Sequence, residues 1–225
     1  MSAPFGREPG SERELLERAS ALAGVTLGDL ARQTGSHLPE DLRGHKGVVG
    51  ELLETALGAS GGSRPVPDFE HLGVELKTIP VGDDERPRES THVCTLTLHD
   101  LTGQRWASST VRRKLARVLW IPVQASSRTP LARRRIGQAR LWSPSALDEQ
   151  VLAADWEEHM ELIATGRFDQ IDGRLGTYLQ VRPKAANRDA LMPSYDAAGR
   201  PAATLPRGFY LRATFTARIL AGSDT

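Results

Sequence analysis

Apolar and polar positions along the chain recur with two different periods, and the change from one to the other marks out the elements. The run SERELLERASALAG has helical spacing. Ser11 is the predicted cap, Glu14 follows three residues on, and Gly24 ends the helix. TLGDLARQTG predicts a second short helix ending at Gly35. A third is predicted from about Lys46 to Leu57, where Val48, Val49, Leu52, Leu53, Ala56 and Leu57 form one stripe and Glu51 and Glu54 lie off it. GASGGSRPVP, with three Gly and two Pro in ten residues, predicts a joint rather than an element.

Beyond the joint the period shortens. Strands are predicted around Val74 to Pro80 and over Thr91 to Leu98. SSTVRRKLA predicts a short helix capped by Ser108 or Ser109, and RVLWIPVQ a strand central in a sheet. A long amphipathic helix follows, capped by Ser143 or Ser145 and stopped by Gly166. GTYLQVRPKA predicts a strand breaking at Pro183, and GFYLRATFTARIL a strand running into a helical turn. Helices first, then strands and helices in alternation, predict an α/β fold with a mixed sheet and a helical lobe in front.

Composition adds little until it is resolved along the chain. With 225 residues, 39% hydrophobic and 25% charged, the chain can bury a sizeable core. The single Cys94 excludes an internal disulfide framework and fits a reducing compartment. No apolar run of membrane-spanning length and no apolar core near the N-terminus are visible, which predicts a cytoplasmic protein with no membrane partner. Net charge is only +1, but it is segregated. Leu101 to Leu147 holds no Asp or Glu and ten Lys or Arg; Asp148 to Asp172 holds eight acidic residues and one Arg; Gly173 to Arg218 is basic again. Such segregation is the footprint of a polyanion surface, with Arg112 and Arg113 among the candidate phosphate contacts, or a patterned solvated surface.

The candidate chemistry lies in PDFEHLGVELKTIP. Strand alternation points Glu75 and Lys77 to one face and Val74 and Leu76 to the other. Asp68 and Glu75 could converge if the chain turns at His71 to Gly73. Two carboxylates, with the Leu76 backbone carbonyl as a further oxygen, suit a hard cation such as Mg2+ or another divalent ion. Lys77 could then hold a nucleophilic water or stabilise a phosphorane-like transition state. On spacing alone, D-x6-E-x-K is equally a solvated ladder on a strand edge.

Longer blocks narrow the choice. KGVVGELLETALGASGGSRPVPDFEHLGVELKTIPV, STVRRKLARVLWIPV, RLWSP, YLQVRPKAAN and TLPRGFYLRATFT resemble the MutH family of DNA mismatch repair endonucleases. The resemblance implies a restriction endonuclease-like fold: a mixed central sheet flanked by helices, with two lobes around a DNA cleft closing at the Gly58 to Gly62 joint. It implies one domain over 1–225, with about 1–10 mobile, 11–57 helical, 58–67 the joint and 68–225 carrying the sheet. The family's catalytic residues fall on Glu54, Asp68, Glu75, Lys77 and Lys114, and its metal ligands on Asp68 and Glu75. Lys46 matches a lysine of the cleavage region. Arg182, Lys184 and Tyr210 match the residues of strand and sequence discrimination. His92 stands where the family has Phe, and TARILAGSDT lacks the family's apolar tail. The implied activity is Mg2+-dependent nicking of the unmethylated strand of hemimethylated GATC duplexes, 5′ to G. The enzyme is expected to act as a monomer, with MutL as activator and MutS acting indirectly. A restriction endonuclease of the same fold and a non-catalytic DNA-binding module are the alternatives.

Overall fold

The computed structural model describes residues 6–43, 45, 47–62, 64, 66–96, 98, 103–184, 191–196 and 198–222. The chain forms two compact units. One comprises 1–88 and 117–143, the other 89–116 and 144–225. The chain therefore passes between them after Arg88, Ala116 and Ser143, and the Gly/Pro joint at 58–67 lies inside the first unit rather than at a crossing.

The first unit contains helices α1 (Glu12–Ala21), α2 (Leu27–Thr34) and α3 (Val48–Leu57) and strands β1 (Glu75–Val81), β3 (Val118–Gln124) and β4 (Arg140–Trp142). The expected cap at Ser11 holds, its side chain accepting from the Glu14 amide; α2 is capped by Thr26, which the sequence reading did not single out. Gly35 ends α2 with φ 67°, where a β-carbon would be strained. β3 lies between β1 and β4, parallel to β1 and antiparallel to β4, so this sheet is mixed. One face of it, with Leu76, Leu119, Ile121 and Val123, packs with Leu15, Leu30, Leu53 and Leu57 of the helices in a single buried core. The opposite face carries Glu75 and Lys77.

The second unit contains β2 (Thr91–Thr95), α4 (Thr110–Leu115), α5 (Ala146–Ala164), β5 (Leu179–Pro183), β6 (Met192–Tyr195), β7 (Pro201–Thr204), β8 (Arg207–Leu211) and α6 (Ala213–Ala221). β8 is central between β2 and β5, antiparallel to both, and β6 and β7 form a separate ribbon. α4 is capped by Ser109 and α5 by Ser145. In α5, Asp148 at the third position bonds back to the Ser145 amide, which completes a capping box.

Several elements depart from the expectation. The final strand continues into a nine-residue helix rather than one turn. The short strand β4 and the ribbon β6–β7 carry no clear alternation, and pairing partners alone define them. β2 ends at Thr95, short of the expected Leu98, and Thr97 lies outside the described residues. Among the described residues, no helix is long and apolar enough to cross a membrane.

Candidate active site and nucleic-acid interface

The acidic pair is brought together by the turn that the sequence allowed. A 3-10 turn over Glu70–Leu72 ends at Gly73 with φ 65°, and Phe69 and Val74 pair across it. Asp68 and Glu75 are thereby placed at the two ends of a closed loop. The Asp68 carboxylate accepts from the Leu76 amide at 2.7 Å, which fixes it at the start of β1. Lys77 Nζ donates to Glu75 Oε1 at 3.3 Å, on the same face of the strand, as alternation requires. Glu75 is 5% exposed. A buried carboxylate with an ammonium beside it is unlike a solvated ladder, in which water would screen both charges.

The ladder also fixes the Leu76 carbonyl. The Glu75 amide bonds the Arg117 carbonyl on the β3 side. Strand backbone groups alternate in direction, so the Leu76 N–H and C=O face the other side, the open edge where Asp68 sits. Asp68, Glu75 and the Leu76 carbonyl are hard oxygen donors, and magnesium takes one or two carboxylates with several waters. Among the described residues no group of three or more His, Cys, Asp and Glu is gathered as a metal site, so a cation here would rest on two carboxylates.

Behind the pair, the joint is a packed device. The amides of Ser60 and Gly61 both donate to the Asp68 carbonyl at 2.9 Å. A β-carbon on Gly61 would come within 2.6 Å of the Pro67 carbonyl oxygen and 2.9 Å of the Asp68 Cα, so only glycine allows this approach. Glu54 is half-buried on α3, its carboxylate lying back along the helix toward Gly50. Lys77 pairs in register with Trp120 and Trp120 with Arg140, which sets a buried indole beside the lysine in the row.

The second unit gathers the residues expected to discriminate sequence. His92 and Gln180 flank Tyr210 in register, Arg182 lies opposite Gly208, and paired residues share a face. The Arg182 guanidinium lies 5.9 Å from the Tyr210 ring centroid, and the His92 ring meets Tyr210 edge-on at 5.1 Å. Lys184 Nζ donates to Thr95 Oγ1 at 2.7 Å. Gly208, between the two neighbouring strands, leaves no room: a β-carbon there would meet the Cys94 carbonyl oxygen at 3.0 Å and the His92 ring at 3.2 Å. Desolvation raises the Tyr210 pKa above the usual phenol value, so the ring keeps its proton at neutral pH.

The remaining expected residues are Lys46, Lys114, Arg112 and Arg113. Lys46 lies outside the described residues. Lys114 is half-buried on α4 of the second unit, whereas Glu54, Asp68, Glu75 and Lys77 all belong to the first. The acid-free stretch is divided between the two units, and several of its arginines have partners within their own unit. Arg112 pairs with Glu149 at 2.5 Å, and Arg113 turns back to the Ser108 carbonyl and the Thr110 hydroxyl. In the other unit Arg117 pairs with Glu12, and Arg135 bonds the Gly24 carbonyl. Sequence separation hid these partners.

Asp155 escaped the sequence reading altogether. Its carboxylate accepts the amides of Thr177 (2.7 Å), Tyr178 (2.6 Å) and Leu179 (2.8 Å), which fixes the entry to β5 and hence Arg182 and Lys184 beyond it. A signal was present: Leu152, Asp155, Trp156, His159, Met160 and Ile163 form the buried stripe of α5, so an acid and a histidine fall at core positions.

A closed acidic loop beside a lysine on a mixed α/β scaffold, with a separate cationic and aromatic face, has the donor set of a phosphodiester-cleaving enzyme. Comparison with known proteins gives the particular family. The profile of the family described as DNA mismatch repair enzyme MutH matches residues 57–155. DNA mismatch repair protein MutH of Vibrio parahaemolyticus serotype O3:K6 (strain RIMD 2210633) is 52% identical over 213 residues, covering 95% of this chain and 94% of its own. The protein of the same name from Vibrio cholerae serotype O1 (strain ATCC 39541 / Classical Ogawa 395 / O395) is 54% identical over 94% of this chain and 96% of its own. That from Serratia proteamaculans (strain 568) is 51% identical over 97% and 96%. The chain belongs to the MutH family of DNA mismatch repair enzymes and is a sequence-specific DNA endonuclease.

Proposed function

We propose that the protein nicks the unmethylated strand of hemimethylated GATC sites, 5′ to G, in a magnesium-dependent reaction that leaves a 5′-phosphate. The observation that carries the chemical part is the loop closed by the Asp68–Leu76 bond at 2.7 Å, with Lys77 held 3.3 Å from Glu75. Asp68, Glu75 and the Leu76 carbonyl would hold the cation. Magnesium bound there supplies Lewis acidity and a lowered pKa for an attacking water. Lys77 Nζ orients that water or donates to the phosphoryl oxygens as their charge grows. Glu54, on α3, and Lys114, on α4, are assigned catalytic roles by the family match. Lys46, Arg112 and Arg113 are further DNA contacts; for Arg112 this means exchanging Glu149 for a phosphate.

Discrimination is assigned to Arg182, Lys184 and Tyr210. The two strands of GATC offer the same base edges, and only the N6-methyl group distinguishes them. It projects into the major groove, where adenine N6 is otherwise a donor. The Tyr210 ring, with His92 and Arg182 against it, would collide with a methyl and accept an amine. The protein is taken to be cytoplasmic and monomeric, activated by MutL after mismatch recognition by MutS. Digestion of a hemimethylated GATC duplex with separately labelled strands, with and without magnesium, tests the reading. Cleavage confined to the unmethylated strand and to magnesium supports it. Equal cutting of both strands, or linear product from a circular plasmid, replaces it with a restriction-type activity.

A further inference from the structure

The segment before α1 is tied to the acidic loop by contacts that the proposed chemistry does not itself use. The Arg7 backbone runs against the end of α3. A β-carbon on Gly58, which caps that helix with φ 78°, would lie 2.2 Å from the Arg7 carbonyl oxygen. Arg18 donates to the same oxygen at 2.5 Å, and the Gly10 amide bonds Glu14 at 2.7 Å, so residues 7–10 are anchored to α1 and laid over α3. This anchoring delivers Glu8 to two distant partners. Glu8 Oε1 accepts from the Ser60 hydroxyl at 2.6 Å and lies 2.7 Å from His71 Nδ1.

Those partners stand on the two sides of the acidic loop. Ser60 is one of the two residues whose amides hold the Asp68 carbonyl, and His71 is in the 3-10 turn between Asp68 and Glu75. Arg64 adds a parallel tie, donating to the Ser60 carbonyl at 2.9 Å and pairing with Glu70 of the same turn at 2.7 Å. We propose that Glu8 is a positioning residue for the metal-binding loop, clasping Ser60 to His71 from outside and so setting the spacing of Asp68 and Glu75. The inference rests on reading Asp68 and Glu75 as the metal pair. The hydrogen bond from Ser60, followed by that from His71, holds the Glu8 carboxyl below the usual carboxylate range, so the acceptor is charged at neutral pH. An exposed pair of this kind contributes little to global stability. Magnesium, in contrast, demands near-ideal octahedral geometry, so small shifts in loop spacing are felt at the metal.

The test compares wild type, Glu8→Ala and Glu8→Gln in the full chain. Backbone amide exchange is followed in the metal-free protein, calcium binding is measured by calorimetry, and nicking is titrated with magnesium. In Glu8→Ala, exchange at Ser60, Gly61 and Leu76 rises about tenfold, and the half-saturating metal concentration rises roughly three- to tenfold. Amides of α2 and the thermal midpoint stay at wild-type values. Glu8→Gln, whose amide oxygen still accepts both bonds, stays near wild type in every readout. Wild-type exchange and metal affinity in Glu8→Ala overturn the proposal, as does a uniform rise in exchange over the whole unit, or a Glu8→Gln variant as impaired as Glu8→Ala. Asp68→Asn separates the two layers. If it retains magnesium-dependent cleavage, the site reading fails and takes the proposal with it. If it abolishes cleavage while Glu8→Ala is silent, only the Glu8 proposal fails.

Discussion

The two three-stranded sheets hold their polar residues in opposite ways. On β1 of the mixed sheet, Glu75 is buried and Lys77 nearly so, and both are bonded to each other within the strand. On the antiparallel sheet, Arg182 and Lys184 are exposed and Tyr210 is half-exposed, held by ring contacts and one hydroxyl. Groups that must act on a transition state gain from a dry setting, where their fields are strong. Groups that must test a base edge have to be reachable before binding. The difference also shows in the support. The acidic loop is braced by backbone bonds over a short stretch of chain, whereas the face proposed to read DNA depends on Asp155, more than twenty residues away.

The largest effect expected across this divide is on chemistry. Asp68→Ala or Glu75→Ala loses transition-state stabilisation of ~4 kcal/mol, roughly 10³ in rate, while metal-free DNA binding persists. A single-turnover rate within about tenfold of wild type would remove these residues from the metal site.

Removing the support of the other sheet should act on folding instead. Asp155→Ala leaves three amides without their carboxylate and is expected to cost about 2–3 kcal/mol, read by urea denaturation. A loss below about 1 kcal/mol would mean that water replaces the carboxylate at no great cost.

A smaller effect belongs to the reading surface. A methyl clash of ~1–3 kcal/mol corresponds to roughly 5- to 150-fold discrimination. Tyr210→Ser should narrow the rate gap between methylated and unmethylated strands and keep the magnesium requirement. Nicking rates on each strand of hemimethylated duplexes measure this, and an unchanged ratio places the methyl sensor elsewhere.

The smallest effect is a pH dependence in the second unit. His159 is fully buried and desolvation lowers its pKa, although its Nδ1 contact with the Asp155 carbonyl, at 2.8 Å, opposes the shift. The unfolded chain therefore takes up the proton first. Stability is full above the unfolded pKa of about 6.5 and falls as pH drops from there toward the lower folded value. Denaturation midpoints at acid and neutral pH should differ in wild type and converge in His159→Gln. Equal slopes in both would assign the dependence to other groups.

Much of this was determined locally. The helix start at Ser11 followed from cap chemistry, which needs only neighbours three residues on, and the same chemistry narrowed two others to pairs of serines from which the structure selects Ser109 and Ser145. The shared face of Glu75 and Lys77 followed from strand alternation, and the turn that joins Asp68 to Glu75 from Gly73. The family resemblance added Arg182, Lys184 and Tyr210; the register of β5 and β8 puts Arg182 and Tyr210 on one face, and Lys184, just past β5, bonds Thr95 of β2. Other features depended on partners far away in sequence. Arg112 and Arg117, alike in an acid-free stretch, pair with Glu149 and Glu12 in different units. The glycines of the joint look like a flexible hinge in sequence, yet Gly58 and Gly61 are required because Arg7 and Pro67 pass too close for a β-carbon. Cap and strand signals are written within a few residues of where they act. Charge pairing and close backbone approach depend on which segments meet, and only the folded chain decides that.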